Sequence, residues 1–119
     1  MFKLHAEFAR ASESGDYFQV LFEERKGAAD TRYFLLQRQF ELPDGRTCAI
    51  ETEIPEMCGH FRVQGAVLKR DRLEISWIGR GETQAEITFA TDAESYANIC
   101  RIMCIMIPDL GCSPLDEKR

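Results

Sequence analysis

Apolar and polar positions alternate with period two over the first three quarters of the chain, the pattern of strands with one buried face. Phe2, Leu4, Ala6 and Phe8 alternate with Lys3, His5 and Glu7 and predict an opening strand. SESGD (12–16) predicts a turn, after which YFQVLFEE places Phe18, Val20 and Phe22 on one face. The polar connection RKGAAD (25–30) leads to a third strand, RYFLLQRQF (32–40), rich in the aromatic and apolar side chains that strands favour.

LPDGR (42–46) has the chemistry of a three-residue hairpin loop: proline presets φ for a type I turn, and Gly45 can adopt the left-handed conformation after it. A hairpin closed there sets Phe40 opposite Cys48, Leu36 opposite Thr52 and Phe34 opposite Ile54. On the other face it sets Gln37 opposite Glu51 and Leu35 opposite Glu53. Pro55 ends this strand and EMCGH (56–60) is irregular. FRVQGAVLKRDRLEISWIG predicts a second hairpin turning at Lys69–Arg72, with Leu73, Ile75 and Trp77 alternating toward the core. GRGETQ (79–84) turns once more, and Ala85, Ile87 and Phe89 belong to a last strand.

The periodicity then changes. Thr91 and Glu94 fit a capping box, and Tyr96, Ile99, Cys100, Met103 and Ile107 fall on one helical face. Glu94, Ser95, Asn98 and Arg101 hold the opposite side, which is lost after Arg101: Ile102, Ile105 and Met106 make the last turns apolar all round. Such a helix end needs cover on every side. Either the sheet wraps it, giving a monomer, or a second copy covers Ile102, Ile105 and Met106, giving a homodimer. Pro108 stops the helix. The fold class is therefore α+β: an antiparallel sheet of six or seven strands with one C-terminal helix packed against it. Residues 1–108 form a single domain and 109–119 a flexible tail.

Length and charge narrow the partners. One domain is expected of 119 residues. A net charge of −5 and a pI near 5.1 come with no basic patch, which argues against nucleic acid and suits a basic protein partner. The N-terminus is broken by Lys3, His5 and Glu7, unlike a secretory signal, and the apolar run Ile102–Ile107 is too short to span a membrane. Five cysteines without a CxxC pair predict reduced thiols and a cytoplasmic setting.

Candidate chemistry is sparse. No nucleophile elbow, HExxH, phosphate loop or dinucleotide fingerprint occurs, so no catalytic residue, cofactor or metal is assigned. Cys58 and His60 supply two ligands at most. Cys100 and Cys104, one helical turn apart, are expected as small core residues. Arg38 shares the apolar parity of Phe34, Leu36 and Phe40, and so either snorkels past the sheet edge or meets a buried acid. Gln37, Glu51 and Glu53, with Glu56 beyond them, form a candidate partner-binding face.

YFLLQR (33–38), IE (50–51), the glycine-bearing break MCGHFR and VLKRDRLEISW…AEITF followed by a helix resemble the immunity protein 10 family of bacterial polymorphic toxin systems, over roughly residues 30 to 107. The resemblance implies a non-catalytic cytoplasmic protein that binds and blocks a cognate toxin. EISWIG (74–79) also resembles the D/N-x-S-x-x-G half of a PilZ cyclic-dinucleotide motif, with Arg62 upstream but no RxxxR at the right distance. A small ligand-binding domain of that type, or a small enzyme, is the alternative.

Overall fold

A computed structural model of the chain describes residues 1–15, 17–27, 29–39, 47–108 and 110–112. The strands are β1 (Phe2–Ala6), β2 (Phe8–Ser14), β3 (Tyr17–Glu23), β4 (Tyr33–Gln39), β5 (Thr47–Thr52), β6 (Gly59–Lys69), β7 (Arg72–Ile78), β8 (Gln84–Phe89) and β9 (Gly111–Cys112), with helix α1 (Ala93–Met106) before the last. The class is α+β as expected, but the sheet has eight strands in one path, β1-β8-β7-β6-β5-β4-β3-β2, and β9 adds to β6. Pairing is antiparallel apart from β1 with β8 and β9 with β6. Both parallel partners are remote in sequence, so neither pairing needs a crossover between neighbouring strands.

The extra strand comes from one residue. The opening alternation does not run on through Phe8: the chain bends at Glu7, leaving β8 for the edge of β3. The bend reverses the phase. Phe2, Leu4 and Ala6 point inward in β1 and Ala11 in β2, while Phe8 is turned outward beneath Lys26, whose ammonium lies 4.9 Å from the ring centre. Ser12–Ser14, expected in a turn, continue β2, and the turn begins at Gly15 with φ +54°. The Ala-Arg-Ser composition of β2 is poor for a strand. Helix α1 supplies what the composition lacks, because Asn98 Nδ2 donates to Ala11 O at 3.0 Å and Arg101 pairs with Glu13 at 3.1 Å.

The two ends of the strand order are consecutive in the chain, so the sheet has to curl until β1 lies against β3 and β4. Its concave side holds the core. Phe2 meets Phe34 with ring centres 6.1 Å apart, Phe34 meets Trp77 at 6.3 Å, and Phe22 of β3 reaches Phe89 of β8 at 5.1 Å. Phe61 packs on Trp77 at 6.1 Å and needs two glycines to do so, since a Cβ at Gly59 or Gly79 would stand 3.1 or 3.2 Å from its ring.

In the β4–β5 hairpin the faces are those expected, but the register is shifted by two: Phe34 faces Thr52, Leu35 faces Glu51, Leu36 faces Ile50 and Gln37 faces Ala49. A shift by two keeps every side chain on its face, so alternation cannot detect it. The observed register is anchored at its open end, where the Glu53 carboxylate accepts the Tyr33 N–H at 3.0 Å. The predicted turn at 42–46 lies outside the described residues. The β6–β7 hairpin turns as predicted, Lys69 facing Arg72, with one irregularity: Gln64 is an extra residue between Val63 and Gly65.

Helix α1 packs on β2 and β3. Its cap is Asp92, not Thr91: Asp92 Oδ1 accepts the Ser95 N–H at 2.7 Å, while the Thr91 carbonyl accepts from Arg70 at 2.8 Å. Its C-terminal end has no basic residue of its own, and Arg38 from β4 donates to Met106 O at 2.9 Å. Sequence parity does not foresee this contact of Arg38. One partner of its guanidinium is the negative end of a helix dipole, where cations are favoured.

The apolar helix end is covered by its own chain. Ile102 and Met106 are fully buried with Tyr96, Ile99 and Met103, and only Ile105, 42% exposed, stays outside. Ile102→Ala should therefore cost about 2–5 kcal/mol, whereas Ile105→Ala should stay within about 0.5 kcal/mol of the parent. Urea unfolding at two protein concentrations checks both, and a concentration-dependent midpoint would contradict internal cover.

Candidate functional site

An antiparallel sheet with its core on one side normally shows a polar opposite face. The convex face of β2–β5 departs from this. Cross-strand rows place Phe8 beside Glu23 and Tyr33, then Arg10 beside Leu21, Leu35 and Glu51, then Ser12 beside Gln19, Gln37, Ala49 and His60. Phe8, Leu21, Tyr33 and Leu35 are each half-buried by their neighbours on this outer side. Leu21 and Leu35 are directly paired across β3 and β4. Carboxylates of Glu23 and Glu51 flank the patch.

The four predicted partner-binding residues do not form one face. Gln37 and Glu51 share the convex surface with Leu35 and line a shallow notch of about 410 Å³ with Ala49, Cys58 and His60. The notch exists because β5 offers only the Ala49 methyl between the longer Gln37 and His60. Glu53 is spent on the fold, accepting from Arg32 Nε at 2.8 Å as well as from Tyr33 N–H. Glu56 sits on a 3₁₀ turn (Pro55–Met57) and lines a different cleft, of about 480 Å³, with Lys3, Arg32, Arg80 and Glu82. Of the predicted oligomer contacts, only Ile105 reaches the surface.

Two carboxylates near Tyr33 are thus in different states. Partial burial acts to raise the Glu53 pKa, but the hydrogen bonds from Arg32 and the Tyr33 N–H outweigh it and hold the carboxyl below its ordinary value. Glu51 accepts the Tyr33 hydroxyl at 2.7 Å and has no cationic partner among the described residues. For Tyr33, partial burial, the hydrogen bond to Glu51 and the charge of Glu51 together hold the phenol well above its ordinary value, so the hydroxyl keeps its proton and orients the carboxylate.

The other candidates are accounted for locally. His5 Nδ1 shares a 2.8 Å hydrogen bond with Thr88 Oγ1. The Cys58 thiol donates to Thr52 O at 3.4 Å and Ile54 O at 3.6 Å. Among the described residues no three His, Cys, Asp or Glu side chains converge as metal ligands, and no helix is long and apolar enough to cross a membrane. Cys100 corrects the expectation of reduced thiols, because it is disulfide-bonded. Cys104 is exposed rather than in the core, on the helix side that carries Arg101 and Ile105 away from the sheet. Ser76 of EISWIG lines a depression of about 450 Å³ with Gly65, Glu74 and Glu86. Arg72 is held by those two carboxylates at 3.3 Å each. Two acids beside Ser76, with Arg62 outside the lining, suit a phosphate-rich ligand poorly.

Glu53 gives this region a pH dependence of defined sign. Because its folded pKa is depressed, its stabilisation is complete above the ordinary glutamate value of about 4.3 and is lost as the pH falls through the lower folded value. The acid limb of the stability curve should be shallower in Glu53→Gln than in the parent, as read from urea midpoints below that pH. Parallel acid limbs would show that Glu53 contributes nothing.

Comparisons with protein families, curated proteins and solved structures return no match, so the likeness to the immunity protein 10 family stands on the quoted segments alone.

Proposed function

We propose that this chain is a non-catalytic binding protein that neutralises a cognate toxin, as a monomer, through the convex face of β2–β5. The observation that carries the reading is the Leu21–Leu35 pair with Phe8 and Tyr33 on a sheet face that owes nothing to the core. An apolar centre rimmed by charge is the anatomy of a protein interface. The rim is mixed, with Arg10 and Lys26 as well as Glu23 and Glu51, and it is the net charge of −5 that favours a basic partner. That the partner is a toxin follows from the resemblance.

Co-expression with a toxin encoded beside this chain tests the reading. The parent should protect the cell. Leu21→Glu with Leu35→Glu should stay folded by circular dichroism and lose protection, because two charges then stand in the apolar centre. Full protection by the double variant would move the interface elsewhere, and binding without protection would refute neutralisation. Glu51→Lys should slow association and weaken its salt dependence while leaving stability unchanged.

A further inference from the structure

We propose that the notch over Ala49 receives an arginine side chain of the protein partner, a deepening that rests on the proposed binding function. Glu51 stands beside Leu35 in the cross-strand row, so a partner that covers the leucine pair also removes Glu51 from water. A desolvated carboxylate left with one neutral donor is costly, and a cation delivered to it removes that cost. Nothing in the described chain supplies the cation. Arg32 is held by Glu53 and lies over Phe2, and Arg10 stands at the far end of the cross-strand row.

The notch fits the rest of such a side chain. Leu35 and Ala49 give an apolar floor for the aliphatic stem, and His60 provides a planar wall. Tyr33 fixes one oxygen of Glu51 at 2.7 Å and does not engage the other, and Glu51 lines the notch. Gln37, diagonal to Glu51 across β4 and β5, offers an amide oxygen. A guanidinium can bridge a carboxylate and an amide oxygen with its planar fork of donors, which an ammonium cannot do. Cys58 does not compete, because its thiol donates to backbone carbonyls.

The test uses N-acetyl-arginine amide as probe, followed by NMR of the full chain. Saturable shifts confined to Leu35, Gln37, Ala49, Glu51 and Cys58–His60 are expected, with none from N-acetyl-norleucine amide and weaker binding of N-acetyl-lysine amide. Glu51→Gln should weaken the arginine probe about tenfold or more, the loss of one charge-assisted contact. Ala49→Leu, on the outer face and so expected to fold, should fill the notch and abolish binding. Absent saturation, equal binding of the lysine probe, or binding unaffected by Ala49→Leu overturns the proposal. Toxin protection that survives such a result leaves the proposed function standing. Probe binding without protection has the opposite meaning: the notch stands and the toxin reading falls.

Discussion

Everything in this fold depends on the continuity of β1 and β2 through Glu7. Two strands separated by a single residue occupy opposite ends of an eight-strand order, and a short tether cannot join the ends of an open sheet. The sheet must therefore close on itself, and its inner side becomes a packed interior where Phe2, Phe34, Trp77, Phe22 and Phe89 meet across strands. The same curvature makes the outer side convex, which spreads its side chains and leaves a small residue such as Ala49 in a gap between longer ones.

Closure in this way leaves β2 as a weak edge, and the helix resolves it. Ala11 presents a carbonyl away from β3, and Asn98 takes it, so the same helix that fills the interior with Ile99, Ile102 and Met106 also covers the exposed edge. Arg38 closes the arrangement by reaching from β4 to the last carbonyls of α1. An edge strand of unfavourable composition, a helix without a basic C-terminal turn and an arginine of apolar parity are separate oddities in the sequence. In the fold each supplies what another lacks.

That interdependence explains which features were legible. Strand parity, the β6–β7 turn and the presence of one C-terminal helix follow from local pattern, and the fold class follows from them. The bend at Glu7 carries neither Gly nor Pro, and alternation passes through it unbroken as far as Phe8, so nothing local marks it. The β4–β5 register differs from the expected one by an even step, the one error that apolar alternation cannot register. The helix cap moved by one residue because Thr91 and Asp92 both have capping side chains, and only the backbone decides between them. For the candidate site, sequence placed Gln37 and Glu51 on the outer face but grouped them with Glu53 and Glu56, whose partners come from elsewhere: Arg32 and Tyr33 for the first, a separate cleft for the second. Parity already sets Leu35 on the outer face with Gln37, but its pairing with Leu21 depends on the register of β3 against β4, which alternation does not supply.

The contrast between Glu51 and Glu53 shows why charge alone locates function poorly. Glu51 lies in β5 and Glu53 just after it, and both accept a hydrogen bond from Tyr33. Glu53 is neutralised by a guanidinium and a backbone donor from its own chain, so its energy is spent on holding β4 in register, and a partner gains little by approaching it. Glu51 is oriented by a hydroxyl that cannot neutralise it, beside an apolar pair that water covers less favourably than a partner would. An interface gains most where the free surface is least satisfied. On the convex face of this chain, that condition is met at Glu51 and the leucines rather than at Glu53.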